Sequence, residues 1–293
     1  MNILVTGANG QLGSGILHVL NTGYSEIGEI NKTYQSSKIL GANKEVLDIA
    51  SLDKVRKVFN ECTPDVVINA AAFTHVDNCE TNRDLAFKVN ALGAKNIAMT
   101  CEEFRSKLIH LSTDYVFNGS SKTPYSEYDL PSPINVYGKT KYLGEVYVRE
   151  FCTNYFILRT SWLYGYTGKN FVKTILKAAT EKDHINVVDD QIGSPTNVQD
   201  LVYHILKIAL TEDYGIYHCT GNGHCSWFEF ACKIIEFSKS NCTVNPIKTE
   251  KLKRAAVRPS FSLLDNLMLR CTVKDEMRQW EDALEMFINN IDF

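Results

Sequence analysis

The chain has 293 residues, 44% of them hydrophobic, and a formal net charge of −3. That is apolar material for a substantial core in one large or two closely joined domains, and the near-neutral balance excludes the electrostatic footprint of a nucleic-acid or anionic-membrane binder. No apolar run approaches the roughly 18 residues of a membrane span, and the first residues read as a core strand rather than a secretion signal, so a cytoplasmic location is expected.

Asn2-Ile3-Leu4-Val5 is a short apolar strand, followed by Thr6-Gly7-Ala8-Asn9-Gly10-Gln11-Leu12-Gly13 and a helix over Ser14 to Leu20. A strand, a glycine turn and a helix in that order make a dinucleotide site. Gly7 allows the tight turn, Gly10 lets backbone approach a pyrophosphate, and Gly13 lets the helix pack closely with its N-terminus toward the phosphates. A second strand is expected within Glu26 to Tyr34, a helix over Leu52 to Phe59, and a buried strand over Asp65 to Asn69 leading into Ala70-Ala71-Ala72. Leu85 to Phe104 reads as a long helix, Lys107 to Leu111 as a strand, Tyr137 to Phe151 as a helix and Tyr155 to Arg159 as a strand. Such alternation predicts an α/β fold with a doubly wound parallel sheet, whose ligand lies beyond the carboxyl ends of the strands. Past Trp162 the rhythm is less regular. Polar turns at Asp189 to Gly193 and Gly221-Asn222-Gly223 suggest a smaller, interleaved substrate domain. The expected division is 1–162 for the dinucleotide domain, with elements around 195–220 returning to it, and 163–293 mainly for substrate.

Nine cysteines without a Cys-x-x-Cys spacing favour reduced thiols. His218-Cys219 and His224-Cys225, with Cys232, could be drawn as a zinc cluster, but a strand end and a Gly-Asn-Gly turn explain them, so no metal site is expected. Gly138-Lys139-Thr140 is no Walker loop, since Pro133 stands where a glycine is needed.

Tyr137 and Lys141 lie four apart on one helix face. An adjacent ammonium and a positive nicotinamide ring would pull the phenol's pKa down toward neutrality, where Tyr137 could protonate a ketone oxygen as hydride reaches its carbon. Thr113, in Leu111-Ser112-Thr113-Asp114, could donate a second hydrogen bond to that oxygen. An acidic residue at the end of the second strand would repel a 2′-phosphate, yet Asn31 to Lys38 contains none, which predicts NADPH, with NADH as the alternative.

The ordered motifs carry a resemblance. They are Gly10-Gln11-Leu12-Gly13, Asn69-Ala70-Ala71-Ala72-Phe73-Thr74 with Val76-Asp77 and Glu80, Ser112-Thr113-Asp114-Tyr115-Val116-Phe117 and Asn135-Val136-Tyr137-Gly138-Lys139-Thr140-Lys141. Arg159-Thr160-Ser161-Trp162, Asp190-Gln191, Gly193-Ser194-Pro195-Thr196 and Arg258-Pro259 continue the series. The chain thus resembles the extended short-chain dehydrogenase/reductases of Rossmann fold, and within them the dTDP-4-dehydrorhamnose reductase family, from residue 3 to about residue 266. The resemblance implies reduction of the 4-keto group of a nucleotide-linked deoxysugar. It implies that Tyr137 donates the proton, that Lys141 lowers its pKa and holds the nicotinamide ribose, and that Thr113 polarises the substrate. Gly7, Gly10, Gln11, Leu12 and Gly13 would line the cofactor site with Ala70, Ala71 and Ala72, and Asp48 and Ile49 would bracket the adenine. Thr74, Val76, Asp77 and Thr113 would meet the substrate, and Trp162 the sugar, with a core tryptophan as the competing explanation.

Among relatives, 4,6-dehydratases carry Asp-Glu after the threonine, whereas Tyr115 follows Asp114 here. A sugar-nucleotide C4 epimerase stays open, as does a non-catalytic reading like the regulatory subunit of methionine adenosyltransferase. Some members dimerise through magnesium held by glutamates, one of them just after the glycine turn. This chain has Gly13-Ser14-Gly15-Ile16 there, so any homodimer is expected not to be metal-bridged.

Overall fold

The most apolar stretches of the first half are strands buried on both faces, the pattern of a parallel sheet covered by helices on each side. In the computed structural model, which describes residues 1–291, these are β1 (Asn2–Thr6), β3 (Val66–Asn69), β4 (Lys107–Thr113) and β5 (Tyr155–Thr160), joined by the edge strand β2 (Lys38–Ala42), of which only Ala42 is buried. Between them run α1 (Gln11–Thr22), α2 (Leu52–Cys62), α3 (Val76–Thr81), α4 (Arg83–Ala86), a π-helical stretch Phe87–Leu92, α5 (Gly93–Phe104) and α6 (Val136–Phe151). The second half adds β6 (Leu163–Tyr164), α7 (Phe171–Glu181), β7 (His184–Val188), β8 (Ile192–Gly193), β9 (Thr196–Asn197) and α8 (Val198–Ala209). It ends with β10 (Gly215–His218), β11 (Cys225–Ser226), α9 (Trp227–Phe237), β12 (Thr243–Ile247), α10 (Leu267–Thr272) and α11 (Trp280–Asn290).

Six strands form one parallel sheet in the order β10-β5-β4-β3-β1-β2. The chain winds outward from β1 to β2, then crosses back to β3 on the other side of β1. That reversal opens a crevice beyond Thr6 and Asn69, the switch point at which ligands of such sheets bind. One face of the sheet is covered by α1 and α8, whose Leu12, Ile16, Val19, Leu20, Leu201, Val202 and Ile205 share a core with Ile3, Val5 and Ile68. The spacing in α1 is that of a single apolar stripe. On the other face Val55, Val58 and Phe59 of α2 and Ile97, Ala98 and Cys101 of α5 pack on Leu4, Val67 and Leu108. A separate core, built from Val172, Leu176, Ile185, Phe230, Ile234, Trp280 and Phe287, belongs to the second half.

The expected second strand is displaced. Glu26 to Tyr34 holds a turn closed by a Tyr24–Glu29 bridge and then a 3₁₀ helix, Lys32–Ser36, capped by Asn31. The strand that pairs with β1 starts at Lys38, opposite Asn2, because Ile39 packs into the core that α1 covers and Leu40 into the core on the opposite face. The helix expected from Leu85 starts at Arg83 and is interrupted by its π-helical stretch, and the strand expected to end at Leu111 runs on to Thr113. Gly15 has a packing reason: a Cβ there would lie 2.3 Å from Val198 Cγ1 of α8, so the buried contact of α1 with α8 leaves no room for a carboxylate.

Candidate active site

The glycine turn sits at the carboxyl end of β1. Gly7 has φ +65°, and a Cβ there would meet the Ala71 backbone at 2.8 Å; one on Gly13 would lie 2.3 Å from the Gly7 carbonyl. Only glycine lets the turn, the helix and the β3 exit approach so closely. Gly10 caps α1 without any side-chain hydrogen bond, so the amides of the first helical turn have no side-chain partner and point their positive end into the crevice. Ala70, Ala71 and Ala72 follow β3 across that crevice and are half-buried, and the Ala71 amide donates to Thr6 Oγ1 at 3.3 Å.

Several residues expected to meet cofactor or substrate have other partners. Leu12 is buried in the core beneath the sheet, so only its backbone faces the turn. The Gln11 side chain donates to the Leu163 carbonyl at 2.9 Å and accepts from Asn170 at 3.0 Å, tying the turn to the second half of the chain. Asp48 accepts the Ala50 amide at 3.1 Å, and Ile49 packs on Gly93 at the start of α5. Thr74 is exposed and Val76 opens α3. Asp77 is committed to Arg258 by bonds of 3.2 and 2.7 Å, and these hold its carboxyl below the usual carboxylate range. Arg254, beside Arg258, adds a second guanidinium near Asp77 and Tyr115.

Tyr137 is placed by the docking of α6. Asn135 Oδ1 accepts the Gly138 amide at 2.8 Å, its Nδ2 donates to the Val257 carbonyl at 2.8 Å, and Glu80 Oε1 accepts the Val136 amide at 2.8 Å. Gly138 is obligatory there, since a Cβ would lie 2.1 Å from the Tyr115 carbonyl. The Tyr137 ring meets Tyr115 edge-on at 5.9 Å, with part of its surface open to the cleft. Thr113 closes β4 next to it. The Thr113 hydroxyl donates to Asp114 Oδ1 at 2.9 Å, and burial pushes the Asp114 carboxyl up to about 6. Lys141, one turn along α6, is buried, donates to the Leu111 carbonyl at 2.5 Å and is pushed down to about 8 by burial, against the pull of Glu145.

The expectation for the Tyr137 phenol is reversed in the chain alone. Burial raises its pKa, and the Thr113 hydroxyl, which acts the other way, is outweighed. The lysine does not offset this because its Nζ is turned to the Leu111 carbonyl. Trp162 lies two residues beyond Thr160, the register partner of Thr113, and its indole stacks on Trp227 at 3.6 Å inside the aromatic cluster of the second half.

Three further features support the site. Glu145 and Arg159 form a fully buried bidentate pair behind Lys141, with Ser112 donating to the same carboxylate. Thr6, Asn69 and His110 form a buried ladder across β1, β3 and β4, with bonds of 2.7 and 3.0 Å. Asn135 holds the helix that carries Tyr137. Asn69, Asn135 and Arg159 stand within the ordered motifs, and Glu145 is a charged residue four positions from Lys141, but their partners are set by the tertiary fold. His218 is turned to Arg159 and the Tyr125 carbonyl, and no group of three metal-ligating side chains occurs among the described residues.

The whole chain, residues 1–293, matches the family described as RmlD substrate binding domain. It is 43% identical to a dTDP-4-dehydrorhamnose reductase of Bacillus anthracis solved in complex with NADP, over 98% of both chains and with a TM-score of 0.92. It is 36% identical to the dTDP-4-dehydrorhamnose reductase of Aggregatibacter actinomycetemcomitans over 97% of each. It is 38% identical to the spore coat polysaccharide biosynthesis protein SpsK of Bacillus subtilis over 98% of this chain and 96% of that one. With a match that leaves no part of the fold or of the site motifs uncovered, the chain belongs to the dTDP-4-dehydrorhamnose reductase family.

Proposed function

We propose that this protein reduces the 4-keto group of a nucleotide-linked 6-deoxysugar, converting dTDP-4-dehydrorhamnose to dTDP-rhamnose with NADPH. The observation that carries the reading is that Thr113 meets Tyr137, with Lys141 one helical turn away against Leu111 of the same strand, on the carboxyl side of the sheet whose switch point holds the glycine turn. The turn fits a dinucleotide: its glycines clear a backbone-lined cradle and α1 offers uncapped amides to a pyrophosphate. NADPH, when bound, supplies the hydride. Tyr137 then gives its proton to the sugar O4, so that the hydride ends as the hydrogen on C4 and the proton as the hydrogen on O4 of the new secondary alcohol. Thr113 hydrogen-bonds the same oxygen, and the Lys141 ammonium stabilises the phenolate left behind. Arg254, near Tyr115 and beside the Arg258–Asp77 pair, is a cation suited to the nucleotide diphosphate. We assign 1–162, with the elements near 195–220, to the dinucleotide and 163–293 mainly to the substrate. We place the protein in the cytoplasm, where its nine free cysteines stay reduced.

A panel of nucleotide-linked 4-keto sugars assayed for NADPH oxidation tests this. Turnover of the dTDP-linked 6-deoxy substrate is expected; no oxidation across the panel would overturn it in favour of a binding role.

Cofactor preference gives a further expected result. The residues leaving β2 are Ala42-Asn43-Lys44, so the position nearest the ribose has no carboxylate, and Asn43 Oδ1 is engaged with the Glu45 and Val46 amides. Asn43 and Lys44 bring no carboxylate to that strand end, the first being Glu45 beyond them, and Lys44 offers a 2′-phosphate a cation. NADPH is expected to exceed NADH by about tenfold or more in kcat/KM. Equal values for the two would contradict this, and Lys44→Glu should narrow the gap.

A further inference from the structure

Trp162 has φ +45°, a backbone conformation in which a bulky residue is an outlier. Such strain persists only where the surroundings over-determine it, and it concentrates at functional sites. Here the surroundings are specific. The indole lies so close over Gly193 that a Cβ on that residue would be 2.6 Å from its ring. Its other constraint is Trp227, stacked at 3.6 Å with an interplanar angle of 8°. Gly193 and Trp227 are themselves held together, because β8 and β11 pair Cys225 with Gly193 and Ser226 with Ile192. Ser226 also closes a capping box with Glu229, which fixes the backbone of Trp227 at the first position of α9. Two elements of the second half therefore clamp the residue that leaves β5 just beyond Thr160, the register partner of Thr113. Both indoles remain half-buried, so the stack retains exposed surface.

We propose that Trp162, Gly193 and Trp227 form one rigid apolar wall of the sugar subsite, and that Trp227 is a positioning residue that selects a methyl over a hydroxymethyl at C5 by holding the Trp162 indole. The proposal rests on the 4-keto-sugar reading above. A flat aromatic wall offers dispersion contact to a methyl group, whereas a hydroxyl placed there loses its water and gains no partner. Selection of this kind by an apolar surface amounts to about tenfold to a hundredfold.

The test compares binding of dTDP-6-deoxyglucose and dTDP-glucose, which differ by that one hydroxyl, to the full-length protein and to Trp227→Leu, Trp227→Phe and Gly193→Ala. Wild type is expected to favour the 6-deoxy ligand by at least about tenfold and to show the far-UV exciton couplet of two stacked indoles. Trp227→Leu should lose the couplet, bring the binding ratio close to unity and raise KM about tenfold, with kcat changed by less than about threefold. Trp227→Phe should restore most of the ratio. Gly193→Ala keeps both indoles but displaces one, so it should reproduce the loss of ratio by a second route. A ratio near unity in wild type, or one unchanged in a Trp227→Leu protein that has lost its couplet, overturns the proposal. Because the ratio is read without turnover, a wild type that binds selectively but reduces no 4-keto sugar would sink the functional reading while leaving the wall in place.

Discussion

Tyr137→Phe is expected to lower kcat by roughly 10²–10⁴-fold, the range for losing a positioned proton donor. The substitution removes one oxygen and keeps the ring that packs edge-on against Tyr115, so thermal stability and cofactor affinity should stay close to wild type. The raised phenol pKa strengthens the argument. In the chain alone Tyr137 is protonated throughout the neutral range, which is the state a reduction consumes. What must titrate instead is Lys141. Pushed down to about 8, it is an ammonium below that pH and a neutral amine above it. If the ammonium is what stabilises the nascent phenolate, kcat/KM falls as pH rises through about 8, and Lys141→Met removes that limb along with most of the activity. Near wild-type reduction of a 4-keto sugar by Tyr137→Phe would show that another group carries the proton.

The legible parts of the site were those written in local chemistry. Gly7 and Gly13 announce themselves because no other residue tolerates their backbone contacts, and Tyr137 and Lys141 because helical spacing alone puts them on one face. The second strand is hidden because Lys38-Ile39-Leu40-Gly41-Ala42 is short, while the stretch before it is richer in aromatic and β-branched residues, with Ile27, Ile30, Thr33 and Tyr34. Pairing with β1, a tertiary event, decided between them. Asp77 shows the same limit. Its bond to Arg258 joins residues 181 apart, a partnership that no local pattern around Asp77 announces. The direction of the Tyr137 shift was also out of reach, since it depends on how thoroughly Thr113, Tyr115 and the docked end of α6 enclose the ring.

Glu145→Gln is expected to be the most destabilising single change in the site, by ~3–5 kcal/mol, and to lower Tm by on the order of 10 °C. Both members of the Glu145–Arg159 pair are almost wholly buried, with bonds of 3.0 and 2.7 Å, and Ser112 adds a third bond of 2.5 Å to the carboxylate. An amide in place of Glu145 leaves the Arg159 charge uncompensated inside the protein, which costs far more than the pair's own net contribution. The double substitution Glu145→Met with Arg159→Leu should therefore recover most of the lost stability, since it removes both charges and restores apolar packing. Activity should not follow stability back. Glu145 is the group that opposes the burial of Lys141, so without its carboxylate the lysine pKa drops further below about 8. In both variants the alkaline limb of kcat/KM should move to lower pH, and at pH 8 both should be slower than wild type. Denaturation measured beside pH–rate profiles separates the two effects: a double variant that regains both stability and the wild-type limb would show that the pair holds the helix in place and does nothing to the charge on Lys141.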